Sequence, residues 1–278
     1  MLRQRVITAL ILAGALIATL LFAPYPVQCV LFAAVASAGG WEWSALAGAC
    51  STRARLAYTA VVPLLCWGLW VVLEMDGAQT SAAAQPLLAA ATLLWSAMLL
   101  GLKNYPSGRS LWRRTSIRAL MGWAMLTATW LAVSICLTLS NGPAVLFLMI
   151  LTVATADIGA YFAGRRFGRH PLAADISPAK TWEGFWGGLL CVTALVTVVW
   201  QNLPLSQLHL GWGSLVALGL ATAGASVVGD LTVSLLKREV GLKDSGSLLP
   251  GHGGLLDRLD SICGAAPVFV LGLLLVGY

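Results

Sequence analysis

Charge is what this sequence has least of. Only 10% of its 278 residues are Asp, Glu, Lys or Arg, against about 25% in a typical soluble domain. With 59% hydrophobic residues and a mean hydropathy of +0.84, a water-soluble core could not absorb the apolar surface. Histidine is nearly missing: with only His170, His209 and His252 there is no HExxH, and zinc loses its usual ligand. The six cysteines (Cys29, Cys50, Cys66, Cys136, Cys191, Cys263) form no CxxC pair and sit mostly in apolar runs. They read as small buried hydrophobes, which excludes a disulfide framework and a thiolate metal site. GxxxxGK[ST] is absent, so there is no P-loop. GxSxG is absent too, so the HGG at 252–254 belongs to no lipase-type nucleophile elbow. There is no linker, low-complexity segment or internal repeat, and the inverted repeat of many transporters is therefore missing.

What the chain does have is long apolar runs. Nine reach the length that crosses a bilayer as a helix: roughly 6–23, 27–49, 56–73, 81–102, 119–138, 143–163, 184–202, 211–236 and 261–278. The expected fold class is an all-α polytopic membrane protein, and the 12 Trp suit aromatic anchors at the two interfaces. The first run follows MLRQR, but its length and the spans after it favour a retained helix over a secretory leader. Nine crossings with the N-terminus inside put every one of the 17 Lys and Arg in the inner segments 1–5, 50–55, 103–118, 164–183 and 237–260. The outer turns near 24–26, 74–80, 139–142 and 203–210 hold none. This asymmetry predicts a cytoplasmic N-terminus and an outer C-terminus. It also accounts for the net charge of +6 without nucleic acid. The expected division is residues 1–118, four helices with a basic cytoplasmic loop, and 119–278, five helices carrying the chemistry in loops 164–183 and 237–260.

The last two inner loops hold the unusual residues. Asp230, Ser234 and Lys237 are spaced i, i+4 and i+7, one stripe of a helix. An ionisable side chain within an apolar run is functional by default, although Asp230 could also pair internally with Lys237. Pro250, Gly251, Gly253 and Gly254 make a non-helical turn whose N–H groups could converge on an anion. Asp257 and Asp260 follow at i, i+3 on a helix start. Close carboxylates repel unless a cation lies between them, and magnesium is held by one or two carboxylates plus phosphate oxygens. The alternative is a pair of carboxylates facing the helix macrodipole. Lys237, Arg238, Lys243 and Arg258 around them favour a nucleotide site. His252 is either a phosphate donor or a packed turn residue. The earlier loop carries Asp157 in its apolar run, then Arg165, Arg166 and Arg169, then ISPAKTWEG with Ser177, Lys180, Thr181 and Glu183. Its plainer reading is a basic interfacial loop with Ser177-Pro178 capping the next helix. Glu42, inside the second run, is a structural partner for an arginine on this reading and ranks lowest.

SLLKREVGLKDSGSLLPGHGGLLDRLDS, residues 234–261, resembles the signature of the phosphatidate cytidylyltransferases, also called CDP-diacylglycerol synthases. DIGAYFAGRRFG at 157–168, ISPAKTWEG at 176–184, the opening RVITAL and the Glu42-Trp43 pair are also similar. The likeness is sharp over the last 120 or so residues and diffuse before them. It implies transfer of the cytidylyl group of CTP to phosphatidic acid, with release of pyrophosphate, at the cytoplasmic face of a bacterial inner membrane. It further implies a magnesium requirement, with room for a second cation of unassigned identity, and a homodimer among membrane lipids. By that analogy Asp230, Asp257 and Asp260 hold metal, while Ser234, Lys237, Lys243 and the 251–254 turn, with His252, hold the triphosphate. Asp244 serves either role. Arg165, Ser177, Lys180, Arg238 and Arg258 take the lipid phosphate or the nucleotide. The rivals are a CTP-dependent lipid kinase of the polyprenol type, which would need a base for a lipid hydroxyl, and an ion or lipid transporter.

Overall fold

Long runs of Leu, Ala and Val without helix-breaking clusters form helices because, in hydrocarbon, each backbone N–H must find its partner within its own segment. The structure, a computed structural model, describes residues 2–75, 83–202, 210–251 and 253–278. Within them the chain forms α1 (Leu2–Phe22), α2 (Tyr25–Leu46), α3 (Thr52–Val72), α4 (Ala84–Lys103), short α5 (Arg109–Trp112), α6 (Thr115–Thr138), α7 (Gly142–Phe167), β1 (Pro171–Ala173), β2 (Ser177–Thr181), α8 (Trp182–Asn202), α9 (Trp212–Glu239) and α10 (Leu256–Leu275). Eight helices, α2 to α4 and α6 to α10, are long and apolar enough to cross a membrane; the apolar part of α1 is shorter, Val6–Phe22. The chain is an all-α polytopic membrane protein. The expected outer turns at 74–80 and 203–210 lie almost wholly outside the described residues, as do His209 and His252.

Several helices run past their apolar runs into charged sequence. α7 continues to Phe167, α9 to Glu239, and α10 begins at Leu256. Arg165, Lys237 and Asp257 are therefore helical and hold fixed directions. Two tight helix pairs organise the C-terminal half, α7 with α8 and α9 with α10, and α10 also packs against α6, α4, α7 and α2. Gly229 and Gly264 set the α9–α10 approach. A Cβ on Gly229 would run into the Asp260 carbonyl oxygen and lie 3.0 Å from the Gly264 nitrogen. Only bare backbone allows that contact, and it brings Asp230 on one helix beside Asp260 on the other.

In the N-terminal half, Arg118 is buried rather than part of a solvated basic loop. Its guanidinium donates to the carbonyls of Leu46 (2.6 Å), Trp112 (3.1 Å) and Arg113 (3.0 Å), satisfying orphan carbonyls at the ends of α2 and α5. Trp43 Nε1 donates back to the Arg118 carbonyl at 2.9 Å. The last turn of α2 is thus pinned to the start of α6. Four cysteines are buried as expected, but Cys50 and Cys191 are exposed, and none of the six is in a disulfide.

Candidate active site

The connection from α9 to α10 builds the centre of the site. α9 stops where Gly241 takes a left-handed φ of +73°. The amides of Gly241 and Leu242 there close onto the carbonyls of Arg238 (3.1 Å) and Lys237 (2.8 Å). Gly251 and Gly253, at φ +77° and +83°, form the second reversal, tied by Leu249 N–H to the Gly253 carbonyl at 3.0 Å. Two carboxylates hold what lies between. Asp257, in the first turn of α10, accepts the N–H groups of Ser245 (3.0 Å) and Gly254 (3.3 Å) on Oδ2, and Lys237 Nζ on Oδ1 at 2.7 Å. Glu42, from α2, accepts the Ser245 hydroxyl (3.0 Å) and Leu256 N–H (2.8 Å) on Oε2, with Leu248 N–H 3.4 Å from Oε1. α1 reaches the same loop, where the Thr8 hydroxyl donates to the Pro250 carbonyl at 3.0 Å.

Two expectations are corrected here. Glu42 is paired with backbone amides and a serine, not with an arginine. Its carboxylate lies at the N-terminus of α10, where orphan N–H groups favour an anion. Lys237 pairs with Asp257 across the helix pair, not with Asp230 on its own helix, because the Asp230 carboxylate is taken. Asp230 accepts Ser234 Oγ at 3.1 Å, one turn along α9, and forms an ion pair with Lys180.

Lys180 arrives on the β1–β2 hairpin, where Ala173 pairs with Ser177 and Pro171 with Thr181. Ser177-Pro178 therefore belongs to a strand and does not cap α8. The cap is Thr181, whose hydroxyl accepts Gly184 N–H at 3.1 Å. Glu183, in the first turn of α8, closes the base of the hairpin. It accepts Arg169 N–H (3.1 Å) and His170 N–H (3.3 Å), and lies 2.6 Å from the His170 ring.

Asp260 is 5% exposed, with one oxygen accepting Ser261 N–H at 2.7 Å. Asp230, Lys237 and Lys180 all lie within electrostatic reach of it, as Lys180 and Asp230 do of Asp157. The structure thus brings Asp230, Ser234, Lys237, Asp257, Asp260 and Lys180 together at one end of α9 and α10. Lys243, Asp244, Arg238 and Arg258 are exposed at the rim, and Gly254 is buried beneath the loop. Arg165 is exposed on α7, its guanidinium 3.2 Å from the Tyr161 hydroxyl. Sequence reasoning missed Ser245 altogether and undervalued Glu42. The signal for Glu42 was present in the cost of a carboxylate within an apolar run.

The donors suit magnesium in kind, being carboxylates without imidazole or thiolate. They are not gathered into a ready ligand set: among the described residues no group of three or more His, Cys, Asp or Glu is placed to hold an ion. Asp230 is instead satisfied by Lys180, and Asp257 by Lys237.

Known sequences agree with this picture. The chain is 37% identical over 281 residues to the phosphatidate cytidylyltransferase of Pseudomonas aeruginosa, covering 100% of this chain and 99% of that one. It is 36% identical over 283 residues to that of Haemophilus influenzae, covering 97% of each. The Mycobacterium tuberculosis protein of the same name is 44% identical over 128 residues, 45% of this chain and 37% of that one. The profile of the cytidylyltransferase family matches residues 3–276, and the chain belongs to that family.

Proposed function

We propose that this chain transfers the cytidylyl group of CTP to phosphatidic acid, giving CDP-diacylglycerol and pyrophosphate for phospholipid synthesis. The observation that carries the reading is the meeting of Asp230, Asp257 and Asp260 with Lys180 and Lys237 at one end of α9 and α10, in a chain matched by the family from end to end. The attacking group is an oxygen of the lipid phosphate, already ionised, so no protein base is required. It bonds to the α-phosphorus as the bond to the bridging α–β oxygen breaks, and the pyrophosphate leaves with that electron pair. The work left to the protein is alignment and charge neutralisation.

Lys237 and Lys180 are placed to meet phosphate oxygens once released from their aspartates, and Ser234 to orient them. Asp230, Asp257 and Asp260 would hold magnesium, which when bound neutralises the α-phosphate and the departing pyrophosphate. Exposed Arg165, Arg166 and Arg169 suit an anionic lipid headgroup at the interface. The confinement of Lys and Arg to alternate connections supports a cytoplasmic site in a bacterial inner membrane, with the N-terminus inside and the C-terminus outside. A homodimer, implied by the family likeness, belongs to the same reading, and the mass of the detergent-solubilised protein tests it.

The deciding experiment supplies purified protein with phosphatidic acid, magnesium and CTP labelled at either the α or the γ position. The expected result is α label in lipid and γ label in pyrophosphate, lost on chelation and restored by magnesium. Asp257→Asn and Asp260→Asn should each lower the rate by about 1,000-fold. γ label entering lipid would make the chain a kinase, and no transfer of either label would overturn the reading.

A further inference from the structure

Glu42 has no part in the chemistry just described, yet its surroundings are built for it. The residue is 1% exposed, on a helix otherwise remote in sequence from the site. Both of its oxygens are used, by donors at positions 245, 248 and 256 that span the later part of the connection and the first residue of α10. The loop is shaped around the carboxylate. A Cβ on Gly246 would strike Glu42 Oε1, and one on Gly254 would lie 2.7 Å from Oε2. Ser245 is held twice, its hydroxyl by Glu42 and its N–H by Asp257. Leu256, whose N–H rests on Glu42, immediately precedes Asp257.

We propose that Glu42 is a positioning residue that clamps the 245–256 connection and thereby sets the direction of Asp257 and of the glycine turn. Its catalytic consequence rests on the cytidylyl-transfer reading; the clamp itself does not. The carboxylate is suited to this because it offers two acceptor oxygens and no donor. A glutamine of the same shape offers one oxygen and one NH2 group. Whichever way that amide turns, at least one backbone N–H among Leu248 and Leu256 faces a second donor. A buried amide left unpaired is costly, so the loop must move away, and Asp257 moves with it.

The test compares wild type, Glu42→Gln, Glu42→Asp and Ser245→Ala as full-length protein in detergent. Two measurements are taken: amide hydrogen exchange across all helices, and kcat and KM for CTP and phosphatidic acid. For Glu42→Gln we expect faster exchange confined to residues 243–258. Its kcat should fall about 100-fold, the scale of a misplacement of about 1 Å, with KM for phosphatidic acid little changed. Glu42→Asp, which keeps the charge and both acceptors, should recover part of the loss. Ser245→Ala, which removes one of the bonds, should cost about threefold to tenfold. Unchanged exchange in Glu42→Gln would overturn the proposal. So would exchange raised equally throughout the helices, which would make Glu42 a general core residue. If the wild-type chain transferred no cytidylyl group, the functional reading would fall, and the exchange pattern would still decide on the clamp.

Discussion

Two charged connections border the candidate site, and they are held in different ways. The β1–β2 hairpin between α7 and α8 is fixed from nearby, its base closed by Glu183 onto residues 13 and 14 positions earlier. The connection between α9 and α10 lacks such self-sufficiency. One of its two carboxylate anchors, Asp257, is local, but the other, Glu42, is more than 200 positions away in sequence. A hairpin of paired strands satisfies much of its own backbone, whereas a glycine-rich loop with two left-handed turns leaves amides that something else must accept. The lesson is that α2 is part of the site even though it brings nothing to the cluster of aspartates and lysines.

The sharpest way to break the comparison is to move the floor beneath the second connection. In Gly229→Ala the added methyl meets backbone, the Asp260 carbonyl and the Gly264 amide, which cannot swing aside. We expect a loss of about 1–3 kcal/mol of stability or more, read as a lowered melting temperature in detergent. Activity should fall by at least about tenfold because Asp230 and Asp260 are pushed apart. Gly224→Ala, five residues earlier on the same helix, meets nothing within 4 Å. It should be neutral, or more stable by up to about 1 kcal/mol through helix propensity. Equal behaviour of the two variants would mean that close approach at Gly229 does not matter.

The next effect down concerns the hairpin. Glu183→Gln keeps one acceptor for the Arg169 and His170 amides and loses the charge facing the His170 ring. Because Lys180 rides on this hairpin to reach Asp230, some activity should go, by about threefold to tenfold. That is well short of the loss expected for Glu42→Gln. A larger loss from Glu183→Gln than from Glu42→Gln would reverse the ranking of local and distant anchors.

Much of this was legible beforehand, and the misses have physical causes. Hydropathy located the helices to within a few residues, since a bilayer-length apolar run has few other conformations open to it. It erred at the charged ends of α7, α9 and α10, because hydropathy marks where lipid contact stops rather than where the backbone uncoils. The spacing of Asp257 and Asp260, and of Asp230 and Ser234, correctly placed each pair on one helix face. What spacing cannot give is the partner across helices. Sequence spacing puts Lys237 on the same helix stripe as Asp230, but its ammonium meets Asp257 of the neighbouring helix at 2.7 Å, because Asp230 is taken by Lys180 from the hairpin. Glu42 illustrates the same limit. Its position in an apolar run signals importance, but nothing in WEW indicates that its acceptors face amides near position 250.

The smallest expected effect tests whether a third connection matters. Between α4 and α6, Arg109 Nε lies 2.7 Å from Glu239 Oε1, and the Tyr105 hydroxyl donates to the same oxygen at 2.8 Å. Glu239 sits two residues beyond Lys237, so this contact touches the root of the α9–α10 connection. The hydrogen bond and charge of Glu239 hold the Arg109 guanidinium above its usual value. Burial first, and then Glu239, raise the Tyr105 phenol. The guanidinium stays protonated at any pH where the enzyme is folded, so titration will not break the pair. Exposure and salt weaken it from the Arg109 side only, since that side chain is 53% exposed while the Glu239 side chain is wholly covered and keeps the Tyr105 hydroxyl as a second partner. Arg109→Ala should therefore change kcat by no more than about twofold, and the difference should vanish at about 1 M salt. Glu239→Ala should cost more, because it also leaves the partly buried Tyr105 hydroxyl without its acceptor. If Arg109→Ala instead matched Glu42→Gln, the anchor nearest Lys237 would be the surface one, and α2 would lose its claim to the site.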